Sequence, residues 1–180
     1  MLVKKIYLFS VIIVFSLLFV CSPIMQAKTC YPSETTITRV VEKGSAMQAM
    51  LDSFKLYNSY FNDIEFKQGY YLPLHGRTRA KAIDYLGQGF EKNLATAIVD
   101  QYTCFIPDLH CLAVRPADGL PVLNQDDIPY LSCQGISDKH IIFSREFTGC
   151  YSPGDRSRYQ VEMQLYQDHW KISALNLDEL

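Results

Sequence analysis

The sequence of 180 residues lacks an excess of charge of either sign, because 17 lysines and arginines face 19 aspartates and glutamates. Nucleic-acid binding depends on clustered basic residues, so the balance predicts no nucleic-acid partner. Charged residues make up 20% of the chain and hydrophobic residues 48%. This composition excludes a disordered chain, a collagen-like repeat and a coiled-coil rod, and it favours a globular domain.

Familiar catalytic and metal-binding motifs are missing as well. The chain has no Gly-x-Ser-x-Gly, no Ser-x-x-Lys and no His-Glu-x-x-His, the patterns that mark several hydrolase classes. His110 and Cys111 are neighbours, but structural zinc sites take ligands in pairs spaced by two to four residues, and no such cysteine pair exists. The sequence therefore predicts no metal, no cofactor and no catalytic residue, and it favours a protein that is not an enzyme.

The first 27 residues have the three parts of a secretory signal peptide. Lys4 and Lys5 precede an apolar run over residues 6–20, and the small residue Ala27 marks the predicted cleavage point. Cleavage leaves 15 basic and 19 acidic residues, a net charge of −4. The pattern predicts export to a periplasmic or extracellular location, with no stable membrane span after cleavage. Alternatives are a lipid anchor on Cys21 and an uncleaved signal that holds the chain in the membrane.

Five cysteines remain after the predicted cleavage, and an oxidising compartment favours their pairing. Five choices of unpaired cysteine times three connectivities give fifteen arrangements with two bridges. We favour a disulfide between Cys104 and Cys111 and another between Cys133 and Cys150, with Cys30 left over.

Residues 28–44 read as a polar lead-in, with a short strand over residues 35–41, and a single domain is predicted over residues 45–180. Ser45 and Gln48 form a capping-box pattern that predicts the start of a helix. Apolar residues then follow at spacings of three or four and define one buried helix face. These residues are Met47, Met50, Leu51, Phe54, Tyr57 and Phe61.

Two further helices are predicted, one from near Thr78 to Gly87 and one from about Phe90 to Tyr102. Between the first two helices, residues 64–76 read as a loop that carries exposed or half-buried tyrosines. Prolines are concentrated in residues 104–130, which we interpret as a long, cystine-pinned loop with a short strand at residues 110–114. Such a loop is a candidate contact surface.

The last third of the chain alternates between apolar and polar residues, the pattern of half-buried strands. Tyr159, Val161, Met163 and Leu165 fall on one face of a strand over residues 159–166. Residues 167–168 read as a tight turn into a second strand that buries Trp170, Ile172 and Ala174. The predicted fold class is α+β, with N-terminal helices packed on an antiparallel sheet.

This order of elements, ending in the run from Gln167 to Ile172, resembles the nuclear transport factor 2-like (cystatin-like) superfamily. Within it, the chain is most similar to a domain-of-unknown-function group of exported bacterial envelope proteins. The group's spaced aromatics match Phe54, Tyr57 and Tyr60. The resemblance implies a cystatin-like roll, in which a curved sheet wraps around helices and leaves a conical pocket, and it implies no particular activity.

Three functions are open. The favoured one is a non-catalytic module of the cell envelope that binds a protein, a peptide or a small apolar ligand, because tyrosines suit binding surfaces. The candidate pocket or contact surface consists of Tyr57, Tyr60, Tyr70, Tyr71 and His140. The alternatives are an isomerase or hydrolase that uses a pocket of the sheet, with Asp84, Asp100 or His140 as acid or base, and an inhibitor or immunity protein directed at a cell-wall enzyme.

Overall fold

The computed structural model describes residues 34–117, 119–149 and 154–180. The predicted signal peptide, Cys21, Cys30 and Cys150 lie outside these ranges. The helices are α1 (Glu34–Asn62), α2 (Arg79–Leu86) and α3 (Lys92–Tyr102). The strands are β1 (Ile64–Lys67), β2 (Tyr70–Pro73), β3 (Thr103–Ile106), β4 (Cys111–Val114), β5 (Ser132–Ser137), β6 (His140–Thr148), β7 (Arg156–Tyr166) and β8 (His169–Glu179).

Helix α1 begins eleven residues before the predicted start, at Glu34 instead of Ser45. The hydroxyl of Ser45 donates to the carbonyl oxygen of Glu42 at 2.8 Å, so Ser45 bonds back to the preceding turn and does not cap the helix. The short strand predicted over residues 35–41 is therefore wrong, because these residues belong to α1. The predicted apolar face is confirmed, since Met50, Leu51 and Phe54 are all buried in the core.

Both shorter helices lie close to their predicted positions. The Thr78 side chain accepts the N–H of Lys81 and caps α2, which ends before Gly87 as predicted. Helix α3 starts at Lys92 because the carboxylate of Glu91 accepts the N–H groups of Asn93 and Leu94.

Four antiparallel strands form the main sheet in the order β5, β6, β7, β8. The predicted hairpin is confirmed: β7 pairs with β8, and the turn residues Gln167 and Asp168 have φ angles of 45° and 66°. Such left-handed angles at both central positions are typical of a tight two-residue hairpin turn. Tyr159, Val161 and Met163 are buried against the helices, and Trp170 is 9% exposed.

A bulge in β8 changes which residues of that strand face the core. Met163 pairs with Ile172 while Glu162 pairs with Ala174, so Ser173 is an extra residue without a partner of its own. Because side chains alternate along a strand, the extra residue moves Ala174 to the polar face and Leu175 to the core face. The prediction that Ala174 lies on the buried face is therefore wrong.

The region predicted as a long loop at residues 104–130 begins with a β-hairpin. Strands β3 and β4 pair in the register Ile106 with Cys111, and a 3-10 turn over Pro107–Leu109 connects them. Pro107 fits this turn because it stands at the first position, where no amide hydrogen is needed. A second 3-10 helix covers Gln125–Tyr130, after an irregular stretch that begins at residue 115.

One face of the main sheet packs against all three helices and forms the principal core. A smaller cluster of Leu72, Ile106, Cys111 and Ala113 joins the β1–β2 hairpin to the β3–β4 hairpin. The predicted mixture of helices and antiparallel sheet is confirmed, whereas the cystatin-like roll stays a prediction. Residues 34–180 form one compact unit. Within the described residues, no helix combines the length and apolar character needed to cross a bilayer.

Candidate functional site

The five residues predicted to line a pocket or contact surface lie in three separate places. Tyr57 and Tyr60 are buried in the core between α1 and its neighbours. Tyr70 and Tyr71 are exposed on β2, at 42% and 45%. His140 is half-buried on β6, and its ring nitrogen lies 3.2 Å from the carboxylate of Glu162.

The rings of the two buried tyrosines of α1 pack in the core, and their hydroxyl groups form hydrogen bonds with the backbone of other chain segments. Tyr57 accepts the backbone N–H of Leu120 at 3.0 Å, and Tyr60 donates to the carbonyl oxygen of Gly76 at 3.5 Å. Burial raises the pKa of both phenols. Both side chains therefore stay protonated, and their hydroxyls hold the segments after β4 and β2 against α1.

Tyr159 enters the same core from β7, and its hydroxyl is buried without a hydrogen-bond partner among the described residues. Burial, and secondarily the neighbouring phenols of Tyr57 and Tyr102, raises its pKa. With Tyr102, which is buried as well, four tyrosine side chains thus occupy the interior between the helices and the sheet.

The acidic residues considered for acid-base chemistry lie on the surface. Asp100 receives two hydrogen bonds from Arg79, each of 2.7 Å, which lower the pKa of its carboxyl group. Asp84 is exposed on α2. In the described part of the chain, no aspartate or histidine side chain hydrogen-bonds to a tyrosine hydroxyl, the geometry that an isomerase of the predicted type would need.

The structure describes three of the four cysteines predicted to form disulfides, and all three are free thiols. Cys104 and Cys111 are free thiols on the same face of the β3–β4 hairpin, as diagonal neighbours across the two strands. Diagonal neighbours lie ~7–8 Å apart, and a disulfide spans ~4.4–6.8 Å between Cα atoms, so bridging requires a small approach of the strands. Cys133 is a free thiol on β5, and burial raises its pKa. Its predicted partner lies outside the described residues, and both pairings stay predictions.

Three exposed aromatic side chains, those of Phe66, Tyr70 and Tyr71, lie on the β1–β2 hairpin, which replaces most of the loop predicted at residues 64–76. Phe66 and Tyr71 face each other across the two strands with their ring centroids 5.2 Å apart, and Phe66 is 66% exposed. Tyr70 and Leu74 are exposed as well. We call Phe66 and Tyr71, whose rings share one face of the hairpin, the aromatic hairpin surface.

The hairpin itself is held firmly in place. Leu72 points away from Phe66 and Tyr71 and is buried against the β3–β4 hairpin. Gln68 and Gly69 turn the chain with φ angles of 50° and 85°, so the two strands meet through a tight turn. In the sequence, Gln68 and Gly69 between two short apolar runs are the signal for this hairpin. Recognising the hairpin would have identified Phe66 as a candidate contact residue, which the prediction missed.

Polar contacts flank the base of the aromatic hairpin surface. Arg77 pairs with Glu65. The ring nitrogen of His75 lies 2.9 Å from Asp63, and the His75 ring stacks on Tyr85 with centroids 4.8 Å apart. These contacts give the apolar pair of rings a polar border.

Comparisons with known proteins add no relative, because no family model, curated protein or solved structure matches the chain.

Proposed function

We propose that the protein is an exported, non-catalytic binding module of the cell envelope and that the aromatic hairpin surface contacts a protein partner. The observation that carries the proposal is the exposure of the paired rings of Phe66 and Tyr71 on one face of a hairpin whose other face is anchored by buried Leu72. Export is proposed from the signal-peptide pattern of residues 1–27.

A protein partner fits this surface better than a small ligand does. Interfaces between proteins typically have a centre rich in aromatic residues and a polar border, and aromatic residues dominate the binding energy. The paired rings of Phe66 and Tyr71 supply the centre, while Glu65 with Arg77 and Asp63 with His75 supply the polar border. A small apolar ligand would instead need a concave site, whereas the rings of Phe66 and Tyr71 are exposed on a hairpin.

The proposal is tested by capturing partners from an envelope extract of the producing organism, followed by chemical crosslinking and identification. Wild-type protein is compared with a Phe66→Ala/Tyr71→Ala double variant and with a Tyr166→Ala control. Tyr166 suits the control because it is 37% exposed on β7 and lies outside the β1–β2 hairpin. We expect one partner that the wild type and the control retain and that the double variant loses.

Equal retention by all three proteins would exclude the aromatic hairpin surface as the contact. The identity of a captured partner also distinguishes the inhibitor hypothesis, since an inhibitor or immunity protein would retain a cell-wall enzyme and reduce its activity. Circular dichroism of the double variant must match that of the wild type, which we expect because both replaced rings are exposed.

A further inference from the structure

Strand β5 forms one edge of the main sheet, and in the described part of the chain no segment pairs with its outer side. It pairs only with β6, from Ser132 opposite Ser144 to Ser137 opposite His140. Five of its six residues are exposed. In such an edge strand every second residue directs its N–H and C=O groups away from the sheet, where another extended chain can bond to them.

The opposite edge of the main sheet is protected, whereas β5 is not. On β8, Ile172 is already bonded to the backbone of Gly89 and Glu91. Asp178 and Glu179 add two negative charges near the end of that strand. Charged side chains on an edge strand oppose its pairing with another chain. The sequence of β5 contains neither a charged residue nor a proline, so β5 is the edge of the main sheet that can accept a further strand.

Helix α1 leaves space beside this edge. A groove of about 190 Å³ lies between β5 and the helix residues Glu42 and Lys43, and Ile141 contributes to its lining. A Cβ atom added at Gly135 would have nothing within 4 Å, so the backbone of β5 is open to approach. The groove is smaller than a typical small-molecule site of ~300–1,000 Å³. The edge therefore suits an extended chain better than a small ligand.

A bulge limits the length over which β5 can pair. The register of β5 with β6 shifts between Gly135 and Ser137, so the strand bends after Gly135. Bulges of this kind restrict pairing with other chains. A contact along β5 is therefore short, and the complex that it forms is weak.

We propose that β5 pairs with β5 of a second copy of this chain, antiparallel and about a two-fold axis perpendicular to the sheet. The occupant follows from the absence of charge on β5, because self-pairing sets a strand against itself and a charged strand would oppose like charges. A register centred on Gln134 places Cys133 of one copy opposite Gly135 of the other. An amide both donates and accepts, so the two Gln134 side chains can hydrogen-bond to each other. The two main sheets then form one continuous eight-stranded sheet.

Sedimentation velocity of the purified protein, from about 1 μM to about 1 mM, measures this association. A reductant is present throughout, so that free thiols do not link two copies covalently. Because the paired edge is short, we expect a dimer with a dissociation constant of about 10–100 μM.

Charge substitutions at Gln134 locate the contact. Gln134→Lys should weaken the dimer about tenfold, because self-pairing then brings two positive charges together. A mixture of Gln134→Lys with Gln134→Glu should associate at least as tightly as the wild type, because the two strands then carry opposite charges. Gln160→Lys is the matched control and should leave the dimer unchanged. It adds the same charge to the same face of the sheet, but on the interior strand β7.

The Phe66→Ala/Tyr71→Ala variant should dimerise as the wild type does, so this proposal and that of the aromatic hairpin surface can fail separately. A monomer throughout the concentration range would overturn the pairing of β5. The same conclusion would follow from a dimer that Gln134→Lys leaves intact, that Gln160→Lys weakens equally, or that the double variant loses. Recovery of the dimer in the mixture supports the pairing, since two misfolded variants would not restore each other's association.

Discussion

Tyr57 and Tyr159 place the same phenol in the same core, but their hydroxyls have different surroundings. Tyr57 accepts the N–H of Leu120, whereas the hydroxyl of Tyr159 has no partner among the described residues. A buried polar group without a hydrogen bond lowers stability, and a buried donor that loses its acceptor does so too. Replacement by phenylalanine should therefore affect stability differently at the two positions, because it removes an acceptor at Tyr57 and an unpaired hydroxyl at Tyr159.

We expect Tyr57→Phe to lower the free energy of unfolding by about 1–3 kcal/mol, because the N–H of Leu120 loses its acceptor. Tyr159→Phe should be neutral or slightly stabilising, because it removes a hydroxyl that makes no hydrogen bond in the described structure. Urea unfolding of both variants measures the difference. A clear loss of stability in Tyr159→Phe would mean that the hydroxyl has a partner, such as a buried water.

Helix α1 and the turn before α3 approach each other at Gly89. The hydroxyl of Ser53 donates to the carbonyl oxygen of Gly89 at 2.9 Å, and a Cβ atom added at Gly89 would lie 2.8 Å from the Cα atom of Ser53. The backbone of Ser53 belongs to α1 and that of Gly89 to the turn before α3, so neither can shift without moving the segment to which it belongs. Gly89 is therefore required for the close packing of α1 against this turn.

Gly89→Ala should destabilise the protein by about 1–3 kcal/mol, since the added methyl group forces α1 away from the turn. Gly135→Ala is the matched control, because a Cβ atom at Gly135 would have nothing within 4 Å. We expect the control to change stability by no more than about 0.5 kcal/mol. Thermal unfolding followed by circular dichroism distinguishes the two, and equal effects would contradict the packing role of Gly89.

The elements that the sequence predicted well are those with complete local signals. Helix α2 has both its cap at Thr78 and its end at Gly87, and the β7–β8 hairpin has clean alternation on both sides of a tight turn. The start of α1 was misplaced because the capping-box pattern at Ser45 lies inside a longer helix. The bulge at Ser173 has no local signal, since it depends on how β8 registers with β7.

At the scale of the whole molecule, the pairing of the cysteines depends on whether the protein folds in an oxidising compartment. Cys104 and Cys111 already lie on one face of a single hairpin. In an exported protein these two thiols, and those of Cys133 and Cys150, would meet an oxidising environment.

We expect the mature protein to carry two disulfides and to begin at residue 28. Mass spectrometry of the protein from its native host, with and without reductant, measures both the cleavage point and the number of bridges. Reduction should lower the free energy of unfolding by ~2–3 kcal/mol per bridge. A mature form with five free thiols would contradict the pairing, and an intact N-terminus or a lipid on Cys21 would contradict the cleavage.

The candidate sites were only partly predictable. Tyr70 and Tyr71 were named as contact residues, and both are exposed, whereas Tyr57 and Tyr60 were named with them and are buried. A tyrosine suits a core and a surface equally, so residue type alone does not separate the two environments.

The sequence by itself determined the composition of the core, two of the helices and the closing hairpin, because helix and strand periodicity depend on residues two to four positions apart. Only the tertiary structure decided which tyrosines are buried, which face Leu175 occupies and where exposed aromatic rings meet polar surfaces. Those outcomes depend on contacts between residues far apart in the chain, such as Tyr57 with Leu120 and Ser53 with Gly89. Such contacts leave no periodic trace in the sequence, since their energy comes from packing in three dimensions.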